Sequence, residues 1–146
     1  MNRWGIIIAL FVVIAAGAAA LIILPDPVKA PTVDERAQKP DRIEVDTPRI
    51  GDAVFPPLII SGKARGNWYF EASFPIEIRN VAGEVIAQAP AQAQGEWMTA
   101  EFVPFYLQIS FPPQPEGSKG NVVLKRDNPS GLPEYDEELV IPIIFQ

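Results

Sequence analysis

Apolar residues follow two patterns along this chain, one continuous and one alternating. Residues 5–24 form the continuous pattern, a run without any charged or strongly polar side chain. Twenty helical residues at about 1.5 Å each reach about 30 Å, which is the thickness of the hydrocarbon core of a bilayer. The run therefore predicts one transmembrane helix, preceded by a short cytoplasmic N-terminus of residues 1–4.

A cleaved signal peptide is the alternative interpretation of this run. A secretory signal has an apolar region of roughly 7–15 residues and then a small-x-small cleavage site. Residues 18–20 fit such a site but lie inside the run, and residues 28–30 are followed by Pro31, a poor residue after a cut. We therefore expect an uncleaved single-pass anchor in the cell membrane, with a cleaved and secreted protein as the alternative. Arg3 in the short N-terminus favours an extracytoplasmic C-terminal part.

Residues 25–42 differ from both flanking parts because they combine four prolines with many charged side chains. Such a segment has little apolar surface to bury, so it predicts an extended or disordered spacer. The remaining residues, 43–146, are enough for one compact domain and too few for two.

The alternating pattern fills this domain. Eight short segments alternate between apolar and polar residues or are briefly apolar throughout, and Gly, Pro and Asn residues separate them. These segments are residues 43–46, 58–64, 74–79, 84–89, 97–102, 106–111, 120–126 and 139–145. Their spacing predicts an all-β sandwich of about seven or eight strands. Pro75 and Pro142 fall inside two of the segments, which predicts edge strands or bulges at those points.

The composition excludes several kinds of chemistry. The chain contains no cysteine and no histidine, so it lacks disulfides, thiol nucleophiles and the commonest general base and metal ligand. No serine lies in a Gly-x-Ser-x-Gly motif. We therefore predict a protein that is not an enzyme and has no catalytic, cofactor-binding or metal-binding residues. The part beyond the anchor holds 11 basic and 18 acidic residues, which argues against a nucleic-acid partner.

Two groups of aromatic residues are the candidates for a binding surface. One group comprises Trp68, Tyr69, Phe70 and Phe74, and the other comprises Trp97, Phe102, Phe105 and Tyr106. Aromatic side chains with a polar group are frequent interface residues, but they also fill sandwich cores. Successive side chains of a strand point to opposite faces, so a strand here would expose part of each group. If these aromatic residues form a binding surface, we predict that Trp68, Tyr69 and Trp97 are its contact residues.

An acidic segment near the C-terminus offers a further alternative. Residues 127–131 read Asp-Asn-Pro-Ser-Gly, and Glu134 and residues 136–138 follow closely. Calcium takes six to eight oxygen ligands, and carboxylates and amides supply them. The spacing does not match an EF-hand loop, so a turn followed by a solvated loop is the simpler interpretation.

Several motifs of the domain resemble the immunoglobulin-like domain of bacterial spore germination. That family opens with a proline and a strand–Ser–Gly–x–Ala element, matched here by residues 61–64, and continues with an aromatic-rich segment, matched by residues 68–75. Residues 81–87 are similar to its x–Gly–x–x–Ile/Leu–Ala strand. The resemblance covers about residues 43–146. It implies an immunoglobulin-like β-sandwich that acts in interactions at the cell envelope, and it implies no catalytic residues.

Together these features predict a non-catalytic, membrane-anchored, extracytoplasmic interaction module of the bacterial cell envelope. Besides the membrane itself, its expected partner is an envelope protein or a wall glycan. A carbohydrate- or peptidoglycan-binding module that uses exposed aromatics is the first alternative. A calcium-dependent adhesion domain is the second.

Overall fold

The computed structural model describes residues 39–146, so the predicted anchor and spacer residues 25–38 lie outside the described residues. Within that part of the chain there are eight β-strands and two single-turn 3-10 helices, Gly66–Trp68 and Pro133–Tyr135. None of the helices in residues 39–146 is long and apolar enough to cross a membrane. The strands are β1 (Ile43–Thr47), β2 (Ala53–Val54), β3 (Leu58–Arg65), β4 (Ser73–Arg79), β5 (Val85–Ala93), β6 (Phe102–Ile109), β7 (Lys119–Lys125) and β8 (Glu138–Phe145).

The strands are hydrogen-bonded in the order β1-β3-β6-β5-β4-β7-β8-β2. β3 and β6 pair along their whole length, but β5 and β6 pair only at Gln92–Tyr106 and Ala93–Phe105. This narrow connection lets the sheet fold over, so that β1-β3-β6 faces β5-β4-β7-β8-β2 across one core. The two layers meet where the rings of Phe74 in β4 and Phe105 in β6 lie 5.0 Å apart.

The core follows from the alternation of side chains along each strand. In β3 and β8 every second residue is buried, and the buried positions are apolar or small. Because a sheet of a sandwich has one face on the core and one on solvent, this period of two is what the packing requires. The prediction of an all-β sandwich of about seven or eight strands is thereby confirmed for residues 39–146.

Six of the predicted strands are confirmed, at 43–46, 58–64, 74–79, 84–89, 120–126 and 139–145. The predicted strand at 97–102 is wrong, because residues 97–101 form a loop. In this loop Met98 N–H donates to the Glu96 side chain and Glu101 N–H donates to the Thr99 hydroxyl. Such local hydrogen bonds compete with a strand ladder.

The observed β6 begins at Phe102, four residues before the predicted start of its segment. β2, which pairs parallel to β8 at two residues only, has no counterpart among the predicted strands.

Pro75 and Pro142 lie at positions where their strand is paired with another β-strand on one side only. Pro75 lies opposite Pro90 of β5, and the pairing of β4 with β7 starts one residue later, at Ile76. Pro142 lies opposite Asn121 of β7, whereas β2 pairs with β8 only from Ile144 onward. β4 and β8 are therefore internal strands with a regular register at Pro75 and Pro142, so the prediction of edge strands or bulges at these prolines is wrong. The missing proline N–H still costs no ladder hydrogen bond, since the ladder is locally incomplete.

Candidate interaction face

Trp68 and Tyr69 lie in the core, with 0 % and 4 % of their surfaces exposed. Trp68 ends a 3-10 helix, and Glu71 and Ala72 adopt left-handed conformations in the turn that follows, so the alternation of a strand does not apply. The Tyr69 hydroxyl donates to the Val103 carbonyl at 2.6 Å. Burial raises the pKa of the Tyr69 phenol above its usual range, so the group remains a neutral donor. The prediction that Trp68 and Tyr69 form a contact surface is therefore wrong.

Trp97, the third predicted contact residue, lies on the loop between β5 and β6. It is half-buried and packs against the core. The structure does not join it to Trp68 and Tyr69 in one exposed surface, because those two residues are covered.

The solvent-facing side of β3 and β6 carries an exposed aromatic residue that the predicted contact residues did not include. Tyr106 is 42 % exposed, and Ser61 of β3 and Gln92 of β5 lie directly opposite it on either side. In the next row Ile59, which is 46 % exposed, lies opposite Gln108. We call this surface the Tyr106 face. It consists of Ile59, Ser61, Gln92, Pro104, Tyr106 and Gln108.

The Tyr106 face is uncharged, and charged residues border it at one end. Lys63 lies opposite Pro104 and pairs with Glu44 of β1 at 3.0 Å. Farther along, the Arg65 guanidinium lies 4.1 Å from the centre of the Phe102 ring, a cation–π contact. The border is thus held by paired charges, and the centre of the face offers an aromatic ring, aliphatic carbon and uncharged polar groups.

The alternation of buried and exposed residues along β6 is the signal that could have identified this face. From Val103 to Ile109 every second residue is buried, so Pro104, Tyr106 and Gln108 share the solvent side. The two strands predicted from the sequence, 97–102 and 106–111, leave residues 103–105 between them, so the prediction did not connect Tyr106 with Pro104.

The outer side of the opposite sheet holds a cluster of paired charges. The Glu77 carboxylate, in a residue that is 6 % exposed, accepts hydrogen bonds from Arg79 Nε at 2.8 Å and from Lys125 Nζ at 3.1 Å. Burial by itself raises the pKa of Glu77, but the hydrogen bonds and positive charges of Arg79 and Lys125 outweigh it and hold the pKa below its usual value. Glu77 is thus ionised at neutral pH and serves as a structural ion-pair partner.

This cluster makes stability depend on pH. A carboxyl whose pKa is lowered by folding stabilises the fold above its unfolded pKa of about 4.3, and the gain is lost as the pH falls through the folded pKa. We expect Glu77→Gln to cost about 1–2 kcal/mol at pH 7, a value reduced for the exposure of Arg79 and Lys125. The difference from wild type should shrink below about pH 4. Urea denaturation at pH 7 and pH 3, with the exposed Glu116→Gln as control, measures both effects. An equal difference at both pH values would contradict the assignment.

The acidic C-terminal segment is organised by hydrogen bonds of its own loop. The Asn128 amide donates to Asp136 at 2.8 Å and to the Leu132 carbonyl at 2.9 Å, so the loop's own groups use these oxygens. In residues 39–146 no three or more acidic side chains come together as a metal-binding group.

A groove of about 510 Å³ runs between β1, the loop after it and Ile141 of β8. Lys39 lines this groove and pairs with Glu137 at 3.0 Å. The charged residues of its lining are Lys39, Glu44 and Arg49.

These features define an immunoglobulin-like β-sandwich domain of the interaction-module type. A family model described as the immunoglobulin-like domain of bacterial spore germination matches residues 42–131, and the chain belongs to this family. The match includes β1 to β7 and ends before β8, although β8 lies between β7 and β2 in the sheet. No curated protein sequence matches the chain. The resemblance noted in the sequence is thus confirmed.

Proposed function

We propose that this protein is a non-catalytic interaction module on the outer side of the cell membrane of a bacterium. Residues 5–24 anchor it, residues 25–42 act as a spacer, and the sandwich presents a contact surface to the cell envelope. The length and apolar character of residues 5–24 support the anchor. The family supports the interaction role, because immunoglobulin-like domains generally act without catalysis.

The Tyr106 face is the observation that carries this proposal. The six side chains of this face are uncharged, and the nearest charged residue on the same side of β3, Lys63, is paired with Glu44. Depletion of charge around an exposed tyrosine is the composition expected at the centre of a binding surface. Ile59 and Tyr106 both remain more than two-fifths exposed, so nothing within the described residues covers the face.

The test is capture of envelope components by the full chain, tagged at its C-terminus and solubilised from membranes. We expect Tyr106→Ser to reduce the recovery of the specific partner at least about tenfold, because hot-spot tyrosines contribute 2 kcal/mol or more. Tyr135→Ser is the matched control, since Tyr135 is 50 % exposed and lies in the 3-10 helix Pro133–Tyr135.

Two results would contradict the proposal. One is equal recovery of every component by wild type and Tyr106→Ser. The other is a protein that fractionates away from membranes, which would contradict the anchor, or a C-terminal tag that resists protease added outside spheroplasts, which would contradict the orientation. Both the anchor and its orientation are part of the proposal.

A further inference from the structure

The arrangement of polar groups around Tyr106 points to one class of ligand. Ser61, Tyr106 and Gln92 lie in one row across three strands, and Ile59 and Gln108 form the next row. Neighbouring strands are about 4.8 Å apart, so a hydroxyl and an amide lie on the two sides of the tyrosine ring. Within residues 39–146 the Gln92 and Gln108 amides have no side-chain hydrogen bond to protein in the structure.

We propose that the Tyr106 face binds an uncharged stretch of a glycan chain. A sugar ring presents a face of C–H groups and a rim of hydroxyls, each of which both donates and accepts. The Tyr106 ring supplies a flat apolar surface for the C–H face of the sugar. The Gln92 and Gln108 amides can donate hydrogen bonds to the sugar hydroxyls and accept hydrogen bonds from them, and Ser61 adds a hydroxyl. This inference rests on the proposed function and names the ligand of the same face.

The charges around the face favour an uncharged polymer over an acidic one. Glu44 and Asp46 of β1 lie along the strand beside β3 and place negative charge near the border of the face. Lys63, the nearest cation in the register, is already paired with Glu44. A polyanion would therefore be repelled without gaining a free cation from the face itself, whereas an uncharged sugar avoids this cost.

The size and shape of the face favour a glycan over a folded protein. A standard protein interface takes 20–30 residues from each partner, with an apolar centre. The uncharged part of this face has six side chains. Besides Tyr106 with its phenol, three of them end in a polar group: the hydroxyl of Ser61 and the amides of Gln92 and Gln108. The groove of about 510 Å³ beside β1 shares no residue with the face. A small molecule needs an enclosed cavity, whereas the exposed side of two paired strands suits a chain that lies across it.

The experiment uses the full chain in detergent micelles and an uncharged N-acetylglucosamine tetramer as the probe, with affinity measured by calorimetry. We expect saturable binding by wild type, weakened at least about tenfold in Tyr106→Ser and unchanged in Tyr135→Ser. Tyr106→Phe should keep most of the affinity because the ring is retained, and Gln92→Ala should lose part of it. Melting temperatures near that of wild type would show that each variant is folded.

Each other outcome has a definite meaning. If wild type does not bind the tetramer at millimolar concentration but still captures a protein through Tyr106, the glycan inference is wrong and the proposed function stands. If Tyr106 affects neither ligand, both fail. Equal binding of the tetramer by wild type and Tyr106→Ser would place the site elsewhere, and tighter binding of polygalacturonate would overturn the preference for an uncharged polymer.

Discussion

Replacing Phe74 with alanine is expected to lower the free energy of unfolding by about 3–5 kcal/mol. Phe74 is fully buried, and its ring makes edge contacts with Trp68, Tyr69 and Phe105, with centroids 6.4, 5.2 and 5.0 Å away. Its ring contacts Phe105 of the β1-β3-β6 layer, so its removal leaves a cavity between the two layers. A domain of this size is stable by only about 5–15 kcal/mol, and the loss would be a large share of that.

Chemical denaturation followed by tryptophan fluorescence measures this loss. Phe55→Ala is the matched control, because Phe55 is 65 % exposed and should change stability by less than about 0.5 kcal/mol. A loss below about 1 kcal/mol for Phe74→Ala would mean that the two layers do not pack through this ring.

The second large effect is expected from Gly62→Ala, at about 3 kcal/mol. A Cβ at Gly62 would overlap the carbonyl oxygen of Glu44 in β1 and would lie 2.9 Å from both the Phe105 ring and the Val45 Cα. Backbone atoms of a paired strand cannot move aside without breaking the ladder. The change should therefore displace β1 from β3, at the bulge where the register shifts between Val45 and Thr47.

Thermal denaturation and amide hydrogen exchange of β1 test this expectation. Gly95→Ala is the control, because a Cβ there would meet no atom within 4 Å. Faster exchange of β1 amides with little change in β7 and β8 would locate the damage at this edge. The same melting temperature for the two variants would contradict the close approach of β1. Since Ser61 adjoins Gly62, the variant should also weaken ligand binding at the Tyr106 face.

Local alternation was enough to predict most of the fold. Strands such as β3 and β8 repeat apolar residues at every second position, and turn residues separate the strands. The core-facing side of such a strand can therefore be recognised without knowledge of the sheet that packs against it. The family followed from motifs such as residues 61–64, in which Gly62 has a visible steric role in the structure. The absence of cysteine and histidine likewise limited the chemistry before any contact was known.

Local pattern failed where the backbone leaves regular geometry. Trp68 belongs to a 3-10 helix, and Glu71 and Ala72 form a tight turn with positive φ at residues that do not favour it. No local signal distinguishes this from a strand through the aromatic segment. β2 is stabilised by its parallel pairing with β8, some 90 residues away in sequence, and two residues carry too little pattern to predict it.

The amino-acid sequence by itself determined that this protein has an apolar run of membrane-spanning length, a proline-rich charged segment and one β-rich domain of the spore-germination immunoglobulin-like family. Only the tertiary structure decided which aromatic residues meet solvent. Phe105 and Tyr106 are neighbours of similar size, and either could fill a core. Phe105 is buried because β4 places Phe74 against it, and the opposite direction of the next side chain leaves Tyr106 outside.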